Sequence, residues 1–200
     1  MKPVLILGVA FWVTACSDGP VELGFWMEPV AYASPRLGDP ISPQELTTIE
    51  AVARAQLIAA FEGFDVMVSD NRRARYRVRV VQVLLEERVR HREAHVAGES
   101  RGMAGFGGSG AVSFDYLANG AVVFAPETAS RAEVTEAIGR GIGRVAIHEF
   151  LHQLLPKAPI HDSRDARSYE GNSPALREGY FEDLRWGIAE PWLEKRIGKR

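Results

Sequence analysis

Two histidines and a glutamate stand at a spacing that suits metal-assisted hydrolysis. His148 and His152 are four residues apart, so in a helix both imidazoles lie on one face, a turn apart, and can bind one ion. Glu149 follows the first histidine directly, where its carboxylate can take a proton from a water held by that ion. The pattern predicts a zinc ion held by His148 and His152, with Glu149 as general base in the attack of water on a carbonyl group.

A third ligand is expected, because a catalytic zinc ion generally takes three protein side chains and leaves one position for water. His161 lies nine residues after His152, and two prolines between them can turn the chain back towards the ion. His161 is therefore the predicted third ligand. Glu170 is the alternative, since a glutamate from the next element can also complete such a site. Asp162 and Asp165 are weaker alternatives.

The segment after these histidines is predicted to complete the site. Tyr169 and Tyr180 carry phenols that can donate a hydrogen bond to a developing oxyanion, and Tyr169 is the candidate catalytic residue. A histidine that binds a metal usually donates its other ring nitrogen to an acceptor; Asp162, Asp165 or Glu170 can provide one.

A long helix over residues 130–155 must carry the histidines and the glutamate. Its apolar residues recur at helical spacing and Pro156 ends it. Gly139, Gly141 and Gly143 are unusual inside a helix, where each costs up to about 1 kcal/mol relative to alanine. These glycines either permit close packing against the sheet or divide the segment into two helices.

The rest of the chain indicates an α+β fold with one small mixed sheet and C-terminal helices. A capping box formed by Ser42 and Glu45 predicts a helix over residues 42–61. In chain order, we also expect strands at 64–68 and 76–80, a glycine-rich loop or flap at 98–110, a strand or hairpin turning at Asn119-Gly120 within 112–125, and helices at 174–186 and after Pro191.

The first sixteen residues predict an exported protein. Lys2 precedes an apolar run over residues 4–13, and the run leads into Val13-Thr14-Ala15-Cys16, which resembles the lipobox of bacterial lipoproteins. Residues 1–15 are therefore predicted to be a signal peptide and Cys16 a lipidation site in the bacterial cell envelope, with the outer membrane favoured. Residues 16–40 are predicted to be a tether leading into an irregular or edge-strand segment, followed by the catalytic domain at 41–200.

Composition limits the partners of this chain. Two hundred residues with 46% hydrophobic side chains are enough for one domain with a substantial core. The net charge of −2 provides no basic field that would attract nucleic acid. We expect a peptide or protein substrate, membrane contact through the N-terminal anchor only, and a monomer.

Residues 41–169 resemble the zincin clan of metallopeptidases, and the metzincins more than the thermolysin-like gluzincins. The resemblance rests on HExxH at residues 148–152, with strands and a glycine-rich stretch before it. It implies a metzincin-like fold, peptidase activity, and a strand within 112–124 that pairs with the substrate backbone. The chain departs from the metzincin pattern in three ways: Leu155 replaces the usual glycine, His161 comes nine rather than six residues after the second histidine, and no methionine follows Met103. Without the methionine turn of that family, residues 168–170 are expected to form the floor of the metal site. Residues 148–170 also resemble bacterial metalloprotease-type proteins with no assigned substrate.

Two other functions remain open at this point. The chain can be a non-catalytic envelope lipoprotein that keeps a zincin fold to bind a partner, which predicts metal binding without turnover, or no metal at all. It can also be a structural lipoprotein whose histidines have this spacing by chance. Chelators would then leave its thermal stability unchanged.

Overall fold

A five-stranded mixed β-sheet with helices packed on it forms the domain. The computed structural model describes residues 19–88, 92–103, 105–155, 161, 165–171 and 176–200. The elements in chain order are β1 Val21–Met27, α1 Pro43–Ala60, β2 Val66–Ser69, β3 Tyr76–Val81, β4 Leu85–Arg88, β5 Arg92–His95, β6 Gly98–Met103, β7 Gly107–Ser113, α2 Phe114–Phe124, α3 Arg131–Leu154, α4 Glu178–Phe181 and α5 Glu190–Ile197.

The sheet order is β2-β1-β3-β7-β6, and β4 and β5 form a separate hairpin. All neighbours in the main sheet are parallel except β6, which runs antiparallel to β7 at one edge. This arrangement agrees with the predicted α+β class. Within the described residues, no helix is long and apolar enough to cross a membrane.

The predicted tether over residues 16–40 is wrong at Val21–Met27, because β1 lies inside the sheet between β2 and β3. Leu23, Gly24 and Phe25 are consecutive buried residues. A parallel strand that is covered on both faces lacks the alternation of apolar and polar residues that identifies a half-exposed strand. The folded domain therefore begins about twenty residues earlier than predicted. The predicted signal peptide and Cys16 lie outside the described residues.

Two capping boxes start the helices that the sequence predicted at 42–61 and 130–155. Ser42 Oγ accepts from Glu45 N at 3.3 Å, and the Glu45 carboxylate accepts from Ser42 N at 2.8 Å. Ser130 and Glu133 make the same pair of bonds at 3.2 and 2.7 Å. Each box satisfies backbone donors that the first helical turn leaves free. Both helix predictions are confirmed.

The glycines of α3 allow close packing and do not break the helix. A Cβ atom on Gly139 would lie 2.7 Å from Val52, and one on Gly143 would lie 3.0 Å from the Ala53 carbonyl oxygen. Both neighbours belong to α1, so Gly139 and Gly143 let α3 pack closely against another helix and not against the sheet. Gly141 faces Tyr180 instead.

The glycine-rich stretch at 98–110, predicted to be a loop, forms most of the β6–β7 hairpin. Here glycine serves close contact: a Cβ on Gly108 would lie 2.9 Å from the Gln153 side chain on α3. In a stretch this rich in glycine, the sequence does not show the alternation of apolar and polar residues that identifies a strand, although the backbone pairs normally.

The strand or hairpin predicted at 112–125 is also wrong beyond Ser113, because α2 occupies residues 114–124. Asn119-Gly120 lies inside this helix and makes no turn. A Cβ on Gly120 would overlap the Tyr180 hydroxyl, so this glycine makes room for an aromatic side chain.

The C-terminal helices are shorter than predicted. Only α4 falls within the helix expected at 174–186, and Pro174 lies outside the described residues. The N–H groups of Gly187 and Ala189 bond the Glu170 carboxylate instead, and the next helix begins at Glu190. The short helix predicted near Pro191 is confirmed as α5.

Glu45 also joins the starts of α1 and α3, and this ion pair predicts a pH dependence of stability. Arg131 Nε and Nη2 donate to the Glu45 carboxylate at 2.6 and 2.9 Å. Bonding to Arg131 and then to Ser42 lowers the pKa of Glu45 to about 2. At pH 7, Glu45→Gln should therefore lower the free energy of unfolding by on the order of 1 kcal/mol.

The contribution of Glu45 to the free energy of unfolding should be complete above its unfolded-state pKa near 4.5. This contribution should disappear as the pH falls towards 2. Urea unfolding of wild type and variant at pH 7, 4 and 2.5 measures whether their free energies of unfolding become equal at low pH. Glu136→Gln, which removes an exposed i,i+4 pair on α3, is the control. A Glu45→Gln deficit that is the same at all three pH values would contradict the assignment.

Candidate metal centre

Three histidines converge at the C-terminal end of α3. The ligand nitrogens of His148, His152 and His161 all lie within 4.8 Å of one another. The ring centroids are 4.9 Å apart for His148 and His152, and 4.7 and 4.9 Å for His161 with each of them. These three side chains can hold a metal ion. The sequence prediction that His161 would join the helical pair agrees with this grouping.

His161 reaches the pair from a strained backbone position. Its φ is +81°, and it is the one non-glycine residue with positive φ in the described part of the chain. A side chain in this conformation costs energy, and such strain is found mainly at functional sites. The residue is exposed, whereas the two helical histidines are partly buried.

The orientation of His148 is determined by a backbone carbonyl. Its Nδ1 lies 3.0 Å from the Tyr169 carbonyl oxygen, which can only accept, so Nδ1 carries the proton and the Nε2 lone pair is free for a metal. Burial is the main cause that lowers the pKa of His148 to about 3. The pKa of His152 is also lowered, first by burial and then by His161. Both rings are therefore held neutral, as metal ligation requires.

Glu149 is buried between α3 and the start of β6. A Cβ on Gly98 would overlap its carboxylate and would lie 2.6 Å from Val145. The Glu149 backbone carbonyl accepts from Ser100 Oγ at 3.3 Å. Burial, followed by the negative charge of Glu99, raises the pKa of Glu149 to about 8. A carboxyl group with a pKa near neutrality can exchange protons in both directions at physiological pH.

Glu170, the alternative third ligand, lies in a different environment. Its carboxylate is fully buried and accepts from Gly187 N at 2.9 Å and from Ala189 N at 2.7 Å. These bonds occupy the oxygens that would otherwise bind a metal. Asp165 pairs with Arg185 at 2.8 Å, and Asp162 lies outside the described residues. The acceptor that His148 Nδ1 meets in the described structure is the Tyr169 carbonyl, whereas the Glu170 carboxylate meets the backbone N–H groups of Gly187 and Ala189.

Tyr169 meets the centre through its carbonyl group. Its ring packs on Trp186 with centroids 4.8 Å apart, and its phenol lies near the Gln56 side chain of α1. Burial raises the pKa of this phenol. The Tyr180 hydroxyl is buried and has no hydrogen-bond partner among the residues described. The bonds and packing of these two phenols therefore give no direct support to the predicted role in stabilising an oxyanion.

Gln153 connects the end of α3 to the sheet, a contact that sequence reasoning missed. Its side-chain oxygen accepts from Arg77 N at 3.0 Å, and its side-chain nitrogen donates to the Arg77 carbonyl at 3.1 Å. This pair of bonds joins the residue after His152 to β3. The polar residue directly after the histidine motif was the available signal for such a contact, but no neighbouring residue in the sequence identified its partner.

Three histidines that can hold a metal ion, with a buried glutamate directly after the first of them in the chain, are therefore the main feature of this site. No protein-family model, no curated protein and no solved structure matches the chain. What the site can do thus has to be inferred from its own geometry and chemistry.

Proposed function

We propose that this protein is a zinc-dependent hydrolase, in particular a peptidase of the zincin type. His148, His152 and His161 hold the ion in this proposal, and Glu149 is the general base. The observation that carries it is the convergence of three imidazoles within 4.8 Å next to a buried carboxylate on the same helix.

The donor set fits zinc. Three neutral imidazole nitrogens suit a borderline-soft divalent ion and leave one tetrahedral position free, which is the arrangement of catalytic zinc sites. Zinc–nitrogen bonds of about 2.1 Å require nitrogens about 3.4 Å apart. Side-chain movements would have to bring the three ligand nitrogens, which lie within 4.8 Å of one another, to that spacing.

Glu149 supplies the proton transfers. A bound zinc ion would polarise the attacking water and the substrate carbonyl. The Glu149 carboxylate would take the proton from that water and then deliver it to the leaving amine. Its burial keeps bulk water away from the carboxylate and strengthens its interaction with charges that develop during the reaction.

The edge of the sheet favours a peptide substrate. Among the described residues, no strand pairs with the outer edge of β6, whose first residue, Gly98, lies against Glu149. An extended peptide can add to such an edge through main-chain hydrogen bonds. The zincin resemblance expected this pairing within residues 112–124, but that segment is mostly helix, so β6 takes the role in our proposal.

An envelope location is part of the proposal and follows from residues 1–16. Lipidation of Cys16 would attach the chain to a bilayer, and β1 begins at Val21. Only residues 17–20 separate the two, and such a link spans about 17 Å at most. The domain would then remain close to the membrane surface, where it would cleave proteins of the envelope.

Metal content and metal-dependent cleavage test the proposal. The full chain, extracted from bacterial membranes in mild detergent, should contain about one zinc ion per molecule and should cleave members of a peptide library. Chelation should abolish cleavage and lower the melting temperature, since a ligand that binds only the folded state stabilises it. Added zinc should restore both. Mass spectrometry of the same preparation should find acyl groups on Cys16.

Other results would point elsewhere. Zinc binding without cleavage of any peptide would favour a partner-binding lipoprotein that keeps the metal site. A chain without metal, whose melting temperature does not respond to chelators, would exclude both metal-dependent functions.

A further inference from the structure

The segment at residues 168–170 connects the metal centre to the C-terminal part of the chain. We propose that Glu170 is a positioning residue: it holds this segment so that the Tyr169 carbonyl keeps the His148 imidazole at one angle. The inference rests on the proposed metal-binding function. It assigns a role to a residue that does not bind the ion.

Backbone N–H groups and one side-chain hydroxyl hold the Glu170 carboxylate in the described structure. Its carboxylate is 0% exposed and accepts from Gly187 N at 2.9 and 3.1 Å, from Ala189 N at 2.7 Å and from the Ser168 hydroxyl. Hydrogen bonds to a charged acceptor are about twice as strong as those between neutral groups. The buried charge therefore ties residues 168–170 to residues 187–189.

The neighbouring residues strengthen the same connection. Tyr169 N donates to the Arg185 carbonyl at 3.2 Å, and Arg185 N donates to the Arg167 carbonyl at 2.9 Å. The Tyr169 ring packs on Trp186, whose indole N–H donates to the Ala60 carbonyl of α1 at 2.6 Å. Residues 167–170 and 185–189 consequently form one unit, and Glu170 is its buried charged group.

Arg144 holds the segment from the side of α3. This residue is 2% exposed and lies one helical turn before His148; its Nη2 donates to the Ser168 carbonyl at 3.3 Å. Two successive turns of α3 thus bond two successive carbonyls, those of Ser168 and Tyr169. Any movement of residues 168–170 would change the direction in which the carbonyl of Tyr169 meets the His148 ring.

Glu170→Gln tests the role, because the amide keeps the side-chain volume but turns an acceptor into a donor that faces backbone N–H groups. Outer partners of metal ligands typically affect metal affinity by about 10- to 100-fold. We expect the zinc dissociation constant to rise about tenfold in a competition titration with a chromogenic chelator. We also expect the visible absorption bands of the cobalt(II)-loaded chain to change in position or intensity, since they report ligand geometry.

Glu45→Gln is the matched control. Glu45 also receives several hydrogen bonds, but its partner Arg131 begins α3, about 25 Å along the helix from His148 at 1.5 Å per residue. This control should lower the melting temperature without changing the zinc affinity or the cobalt spectrum. Ser168→Ala, which removes one hydroxyl donor, is a milder second variant and should show a smaller change in the same direction.

The outcomes separate the inference from the proposed function. The positioning role is wrong if the wild-type chain binds zinc and cobalt but Glu170→Gln and Ser168→Ala both leave the zinc affinity and the cobalt spectrum unchanged. The metal centre itself would not be affected by that result. If Glu170→Gln does not fold, Ser168→Ala alone decides. A wild-type chain that binds neither metal overturns the proposed function and this inference together.

Discussion

A Glu149→Gln chain should bind zinc as tightly as the wild type and hydrolyse peptides about 10²- to 10⁴-fold more slowly, the usual contribution of a general base. Glutamine has nearly the same shape, so it should fit the pocket between α3 and Gly98. It cannot accept a proton from water. The histidine nitrogens do not bond the Glu149 side chain in the described structure, so metal affinity should be unaffected. The measurements are zinc per chain and kcat/KM on the best peptide of the library.

Glu136→Gln is the control for this experiment. It makes the same change on the same helix, but its side chain is exposed and pairs with Arg140. The control should keep full turnover. Equal turnover by Glu149→Gln and wild type would show that the carboxylate takes no part in hydrolysis, and the proposed mechanism would be wrong.

A single methyl group on Gly98 should be nearly as damaging to turnover. In Gly98→Ala the new Cβ would overlap the Glu149 carboxylate and approach Val145, so the carboxylate has to move. A displacement of about 1 Å in a reacting group can cost about 100-fold in rate. We expect a loss of that order in kcat/KM. Zinc content should be unchanged, because the methyl group meets the glutamate and not the histidines.

Gly19→Ala provides the matched control for Gly98→Ala, since a Cβ at that position meets nothing within 4 Å. It should match the wild type in both turnover and zinc content. Loss of zinc from Gly98→Ala would mean that β6 supports the histidines themselves. Full turnover would mean that the carboxylate close to Gly98 is not the base.

The histidine motif and the helix starts were predictable because they depend on local geometry. The four-residue interval between His148 and His152 gives the same relation in any α-helix. The capping boxes at Ser42 and Ser130 likewise bond within four residues of the chain. His161 is nine residues from His152, and the prediction that it would reach the site needed only a turn in between.

Glycines misled the prediction where they serve contacts between distant segments. A glycine in sequence indicates equally a turn, a flexible loop or a close approach. Gly98, Gly108 and Gly120 all adjoin side chains far away in the chain. Which of these roles applies depends on what packs against the backbone, and no neighbouring residue records that.

The interior strand β1 was missed for a related reason. Its buried residues are consecutive, so the alternation that identified β3 is missing. Its position between β2 and β3 depends on pairing with chain more than forty residues away.

By itself the sequence determined which groups the proposed chemistry can use: two imidazoles on one helical face, an adjacent carboxylate and a third histidine nine residues further on. Only the tertiary structure decided what orients those groups. The Tyr169 carbonyl that holds His148 and the bare backbone of Gly98 beside Glu149 are main-chain features. Every residue has a main chain, so the identity of an amino acid cannot reveal which carbonyl or which backbone will meet the site.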